Sequence, residues 1–179
     1  MSACFAMISV FRNDPGLRQQ VHDIFFESSV RQDFESDADR IGFRNLWLDP
    51  YIQHYPHEIF IYEQPQGDVL GYLTGCSDSN AAAEIFSGPD FLRTIDFVYE
   101  TYPAHLHINV RAECRNKGIG ADLIEHYASH CRQLGLAGVH IVTARGARNT
   151  KFYNRLNFEQ VHEFTTNGKT LVVLGRKLG

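Results

Sequence analysis

The chain has 179 residues, 44% of them hydrophobic, which suits one compact domain (1–179) with a substantial core and not two. A formal net charge of −4 argues against an extended electrostatic grip on nucleic acid or on an anionic membrane. No uninterrupted apolar run reaches membrane-spanning length, and Met1 to Val10 lacks the basic region and long apolar run of a signal peptide, so neither a nucleic acid nor a membrane is expected as a partner.

Taken in chain order, strand-like and helix-like segments alternate without repeats or low-complexity linkers. Phe5 to Phe11 reads as a first strand. Asn13-Asp14-Pro15 offers a cap and a first-turn proline for a helix through Leu17, Val21, Ile24 and Phe25. Asp37 to Leu48 is a second helical stretch, which Asp49-Pro50 is expected to stop. Glu58 to Tyr62 and Val69 to Leu73 are β-rich and joined by Gln-Pro-Gln-Gly-Asp, a hairpin signal. Ser77 to Tyr102 has no strong period, and loops of that length are usually functional or contain short helices. Ala104 to Val110 is the next strand. A helix from Lys117 to Leu134 then puts Ile119, Leu123, Ile124, Tyr127, Cys131 and Leu134 on one stripe, with Gly135 as its stop. Val139 to Val142 is a strand and Asn149 to Leu156 a short helix. Phe158 to Phe164 and Thr170 to Leu174 close the chain around a Thr-Asn-Gly-Lys turn.

The cysteines Cys4, Cys76, Cys114 and Cys131 are scattered without the spacing of a zinc site, so free thiols in a reducing, cytoplasmic compartment are expected. Cys131 falls on the apolar helix face. Cys114 is a candidate nucleophile by position only, because no catalytic partner is evident. His126 and His130 stand one helical turn apart, a metal-chelating spacing, but no third ligand is evident and the apolar stripe lies elsewhere, so they are expected on a solvated helix face. No metal is expected.

The most informative stretch is Arg115-Asn116-Lys117-Gly118-Ile119-Gly120, between the strand Leu106 to Val110 and the long helix. Glycines let the backbone approach a ligand, and the N–H groups opening a helix point at it with the positive end of the dipole. A diphosphate suits such a site, with Arg115 and Lys117 adding charge. The stretch lacks the Gly-Lys-Ser/Thr of a Walker A loop and the three-glycine spacing of a Rossmann fingerprint.

R-x-x-G-x-G after a strand reading L-x-I-x-V resembles the GNAT acyltransferases, in which this turn holds the pyrophosphate of acetyl-CoA. Phe152-Tyr153-Asn154-Arg155-Leu156-Asn157-Phe158 is similar to the family's F-Y-x-x-L-G-F segment. The predicted element order matches the family along nearly the whole chain. Tyr62-Glu63, Gly71-Tyr72, Tyr102-Pro103, Phe152-Tyr153 and Val172 to Arg176 look closest to the acetyltransferase-like C-terminal domain of O-GlcNAcase and its stand-alone relatives. The resemblance implies an α/β (α+β) GNAT fold. Its mixed central sheet has about seven strands, flanked by helices on both faces, and its central parallel strands splay apart.

The resemblance also implies acetyl-CoA as co-substrate and acetyl transfer to an amine, on a small molecule or a protein. The alternative is an inactive pseudo-acetyltransferase module that binds acetyl-CoA or a protein partner. Cofactor contacts are implied at Arg115, Asn116, Lys117, Gly118, Ile119, Gly120 and Ala121 around the phosphates. They are implied also at Ile108, Asn109 and Val110 along the pantetheine arm, and at Asn149 and Phe152. Asn149 is also expected to cap the short helix. Tyr153 matches the family's general acid. Asn157 replaces the glycine of the L-G-F turn and, among non-glycine residues, best tolerates left-handed backbone.

His105 and His107 are the candidate bases, since an unperturbed imidazole titrates in a suitable range. Strand alternation puts both on the face of Asn109, and a β-bulge is needed to re-aim them. Without one they are structural, hydrogen-bonded under a helix. Phe86, Phe91, Phe97, Tyr99 and Tyr102, with Asp90, Asp96 and Glu100, are expected to wall the acceptor site; the competing role for the aromatics is to cover a sheet edge or form a homodimer contact.

Overall fold

The computed structural model describes residues 6–86 and 91–179, apart from the side chain of Phe91. Seven strands follow the order β1-β2-β3-β4-β5-β7-β6 in an open sheet. They are β1 (Met7–Val10), β2 (Ile59–Glu63), β3 (Val69–Cys76), β4 (Ala104–Val110), β5 (Gly138–Ala144), β6 (Glu159–Thr166) and β7 (Lys169–Lys177). The flanking helices are α1 (Pro15–Ser28), α2 (Asp37–Trp47), α3 (Asp49–His54), α4 (Ser79–Ile85), α5 (Phe91–Thr94), α6 (Ile119–Gln133) and α7 (Thr150–Asn154). Among the described residues no helix is long and apolar enough to cross a membrane. The chain forms two compact units, Met1–Gly75 with His107–Tyr127 and Cys76–Leu106 with Ala128–Gly179.

In the first unit, α1 starts where the Asp14 carboxylate accepts the Leu17 N–H at 2.9 Å and Pro15 occupies a position that needs no N–H donor. Its buried stripe is Leu17, Val21, Ile24 and Phe25, the expected set. Ser36 caps α2 through the Asp39 N–H. Asp49-Pro50 was expected only to stop this helix. It stops α2 at Trp47 and also opens α3, because a proline that cannot continue one helix fits the first turn of the next. The corner is held by Arg44 Nε, which donates to both Asp49 oxygens at 3.1 and 2.9 Å. β1, β2 and β3 pair antiparallel, with the predicted hairpin between β2 and β3.

The helix expected from Lys117 begins at Ile119, since Asn116 and Gly118 have positive φ and lie outside helical geometry. Ile119, Leu123, Ile124, Tyr127 and Cys131 are buried as expected, whereas Leu134 lies past the last turn and is 51% exposed. The helix closes with Gly135 N–H on Arg132 O and Leu136 N–H on Cys131 O, the paired bonds of a Schellman stop.

In the second unit, β4 and β5 pair parallel at Ala104↔Val139 and His105↔His140, and β5 continues antiparallel on β7. The β6–β7 hairpin turns at Asn167 and Gly168, both with positive φ, as the Thr-Asn-Gly-Lys signal predicts. Ile95, Val98, Tyr99 and Val173 form a core cluster, with Tyr102, Val142 and Phe164 packed on it.

That cluster corrects one expectation. Tyr99 is a buried core residue and not an open wall, and half-buried Tyr102 packs against the cluster; the Tyr99 hydroxyl donates to Leu92 O at 2.6 Å. Phe97 is 57% exposed and rests edge-on against His162. Asp90 and the Phe91 side chain lie outside the described residues, as do Cys4 and Phe5.

The Tyr102 ring lies against Gly175, where an added Cβ would stand 2.7 Å from the ring carbons. A packed ring beside a strand backbone cannot yield cheaply. Gly175→Ala therefore destabilises the chain by about 1–3 kcal/mol, seen as a lower urea midpoint at unchanged slope. An unchanged midpoint would show that the ring moves freely.

Candidate functional site

The turn between β4 and α6 is built from backbone bonds inside the first unit. A 3-10 turn at Ala112–Cys114 closes with Cys114 N–H on Arg111 O at 2.9 Å, followed by Arg115 N–H on Ala112 O at 3.3 Å. Arg111 anchors it to β3 through Nε on Val69 O at 2.7 Å and N–H on Leu70 O at 3.0 Å. The Glu27 carboxylate accepts the Ala112 N–H and lies 3.6 Å from the Arg111 guanidinium. Neither Glu27 nor Arg111 stood out in the sequence. Cys114 is buried, which favours packing over attack.

Asn116 has φ 61° and Gly118 φ 89°, so the chain reverses through left-handed backbone before α6. The Asp122 N–H bonds Gly118 O at 3.0 Å, making Gly118 the last residue before the helix. The N–H groups of Ile119, Gly120 and Ala121 are then the donors that a helix start cannot satisfy internally. A Cβ built on Gly118 meets nothing within 4 Å, so the turn is open at that residue. Buried Ile119 packs near Gly71 and fixes the helix end. Arg115, Asn116 and Lys117 are exposed around it, with Arg115 Nε on Val110 O at 3.2 Å. N–H donors at a helix start, the helix dipole and two exposed cations are the features with which a protein can hold a diphosphate.

Ile108, Asn109 and Val110, also in the first unit, are half-buried. Asn109 Nδ2 donates to the Tyr72 hydroxyl at 2.9 Å, which commits the side chain. Val110 O also accepts the Ser28 hydroxyl at 3.5 Å. His107 lies edge-on to Tyr51 at 5.7 Å, and burial holds its imidazole down to about 4.

This shift has a stability consequence. The unfolded imidazole, at 6.5, binds a proton that the folded one refuses until about pH 4. Between these values the unfolded state holds more protons, so folding stability falls as pH drops through this window. His107→Gln removes that contribution. We expect the urea midpoint of the wild type to fall more between pH 7 and pH 5 than that of the variant; parallel falls would place the acid sensitivity elsewhere.

In the second unit, His105 is 4% exposed, with Nδ1 2.7 Å from the Ser79 hydroxyl at the start of α4. Its ring packs near Phe86 and lies 5.7 Å from that of His140. The hydrogen bond beneath a helix is the structural arrangement expected for a histidine on this face. Ser79 went unnoticed in the sequence, where only Asp78 carries a local signal, as the α4 cap that accepts the Ala81 N–H.

Tyr153 on α7 is 6% exposed, its ring edge-on to Phe152 at 5.2 Å and to Phe158 at 5.5 Å. Its phenol, ordinarily protonated at neutral pH, is pushed further up by burial. Among the described residues none hydrogen-bonds that hydroxyl. Phe152 is half-buried. Asn149 departs from expectation: its side chain does not cap α7 but accepts the Thr143 hydroxyl at 3.1 Å, because its own backbone is already helical (φ −72°, ψ −16°). Asn157 has φ 63°, the left-handed geometry predicted where the family motif has glycine.

His126 packs edge-on to Phe60 at 4.7 Å. Among the described residues no group of three or more His, Cys, Asp or Glu side chains converges as a metal site would need.

The sequence pattern of the acetyltransferase (GNAT) family matches residues 18–158, and the chain belongs to that family. Its fold is shared with solved structures of low identity. SsHAT is 22% identical, with 97% of this chain and 98% of that one covered and a TM-score of 0.73. An aminoglycoside 6'-N-acetyltransferase complexed with coenzyme A is 14% identical, with 97% of each chain covered and a TM-score of 0.67. YncA from Salmonella typhimurium, solved with its cofactor acetyl-CoA, is 14% identical, with 98% and 95% covered and a TM-score of 0.60.

Proposed function

We propose that this GNAT-family chain is an acetyl-CoA-dependent N-acetyltransferase of the cytoplasm that moves acetyl to an amine. The observation that carries the reading is the turn before α6, where left-handed Gly118 opens the helix start beside Arg115 and Lys117. The short segments from Tyr62-Glu63 to Val172–Arg176 support a place near the O-GlcNAcase acetyltransferase-like branch. The buried cysteines Cys76, Cys114 and Cys131 form no disulfide with one another, which fits a reducing compartment.

Bound acetyl-CoA supplies the acetyl group as an activated thioester. The N–H groups of Ile119, Gly120 and Ala121 hold its phosphates, with Arg115, Asn116, Lys117 and Gly118 around them. The backbone of Ile108, Asn109 and Val110 lines the pantetheine arm, and Asn149 and Phe152 add contacts. The Tyr153 hydroxyl, at the place of the family's general acid, is the proton donor to a thiolate leaving group. His105 is the proton acceptor, in preference to His107, whose imidazole at about 4 is a weak base at neutral pH.

Calorimetry with acetyl-CoA, followed by CoA release against a lysine peptide, an α-amino peptide, glucosamine and spermidine, tests this reading. Binding with amine-dependent release is expected. Binding without release would leave the inactive, acetyl-CoA-binding module.

A further inference from the structure

The chain that leads from β4 into the turn before α6 runs over the surface: from Ala112 to Gly118 only Cys114 is buried. Its start is tied to β3 by Arg111 and, from the other side, to the C-terminal end of α1. There one Glu27 oxygen accepts the Ala112 N–H at 2.5 Å and the other lies 3.6 Å from the Arg111 guanidinium. Neighbouring Ser28 Oγ donates to Val110 O at 3.5 Å. These three contacts are unequal. An ion pair between side chains that are 31% and 25% exposed contributes little, and a hydroxyl at 3.5 Å is at the limit of a bond. A carboxylate on a backbone N–H is charge-assisted, roughly twice as strong as a neutral bond. As the first N–H of the 3-10 turn Ala112–Cys114, the Ala112 amide has no partner within that turn. The grip of α1 on this segment therefore rests on Glu27 and the Ala112 N–H.

We propose that Glu27 is a positioning residue for acetyl-CoA: by holding the Ala112 N–H it keeps the turn before α6 in its phosphate-binding shape before the cofactor arrives. The proposal rests on the acetyl-CoA reading above. Ala112 passes the constraint on, because its carbonyl accepts the Arg115 N–H at 3.3 Å, and Arg115 Nε returns to Val110 O at 3.2 Å. Glu27 thus fixes the residue that fixes Arg115, one step before left-handed Asn116. Its negative charge is offset by the facing Arg111 guanidinium. A carboxylate near an anion site that acted by charge alone would weaken binding, and removing it would tighten binding. Positioning has the opposite sign. A turn that keeps its binding shape only about a tenth of the time binds about tenfold more weakly.

Amide hydrogen exchange on the ligand-free wild type reads the bond without any substitution. Ala112 is exposed and its amide lacks a partner in its own turn, so slow exchange there reports Glu27. We expect a protected Ala112 amide that exchanges about tenfold faster in Glu27→Ala; an unprotected one in the wild type overturns the proposal. Calorimetry with acetyl-CoA then reads the consequence. Glu27→Ala should bind about tenfold more weakly, and Glu27→Gln, which keeps an acceptor oxygen without the charge, should stay within about twofold of the wild type. A lower urea midpoint in Glu27→Ala with unaltered acetyl-CoA affinity overturns the positioning role and leaves a bond that only stabilises the fold. Tighter binding in Glu27→Ala, the result of charge alone, overturns it too. A wild type that does not bind acetyl-CoA removes the reading beneath the proposal, whereas wild-type binding with an unaltered Glu27→Ala removes the proposal alone.

Discussion

Replacing Gly118 and Gly120 together by leucine abolishes the thermal stabilisation that acetyl-CoA gives the wild-type chain. Gly118 sits at φ 89°, just before the first turn of α6, with open space where its Cβ would stand. A leucine there fills the space a phosphate needs and forces a side chain into left-handed backbone, at about 1–2 kcal/mol. A ligand that binds only the native state at a hundred times its dissociation constant stabilises it by about 2.7 kcal/mol. For a chain of this size that is a rise of roughly 5–10 °C in the midpoint. Scanning calorimetry with and without acetyl-CoA separates the two effects: the variant starts lower and gains nothing. An equal gain in the variant would place the cofactor away from this turn.

Tyr153→Phe lowers kcat by about a hundredfold while acetyl-CoA affinity holds. Phenylalanine keeps the ring contacts with Phe152 and Phe158 and removes only the hydroxyl. Fold and cofactor binding are therefore spared, and the loss falls on proton donation to the leaving thiolate. Steady-state kinetics paired with calorimetry reads the split. Equal kinetics in Tyr and Phe forms would reduce this residue to packing.

Much of the scaffold was legible because its signals are local. Asp14-Pro15 is a cap and a first-turn proline whatever surrounds it, and Asn167-Gly168 makes its hairpin turn from its own backbone preferences. Asn157 kept left-handed geometry in place of glycine for the same reason. The backbone of the turn before α6 was equally readable, since strand, glycine and helix start adjoin in sequence. Asp49-Pro50 was half read: proline chemistry ends one helix and begins another, and only the packing around Arg44 selects both.

Residues whose roles depend on distant partners were hidden. Tyr99 and Tyr102 looked like pocket aromatics because nothing local shows that β7 presents Val173 and a bare Gly175 backbone to them. Ser79 carries no signal in its own segment, and its meaning comes from His105 and Pro103. Asn149 looked like a cap until its bond to Thr143 was seen. Glu27, which holds the Ala112 N–H, is separated from it by 85 residues.

The central claim, that this chain carries acetyl from acetyl-CoA to an amine, is tested most directly by mass spectrometry of the four amines after incubation with acetyl-CoA and the wild-type chain. The account predicts that at least one gains the mass of a single acetyl group, with an equal amount of CoA released, and that Tyr153→Phe slows both together. Acetyl-CoA bound at the turn with every amine unchanged and no CoA released would contradict it.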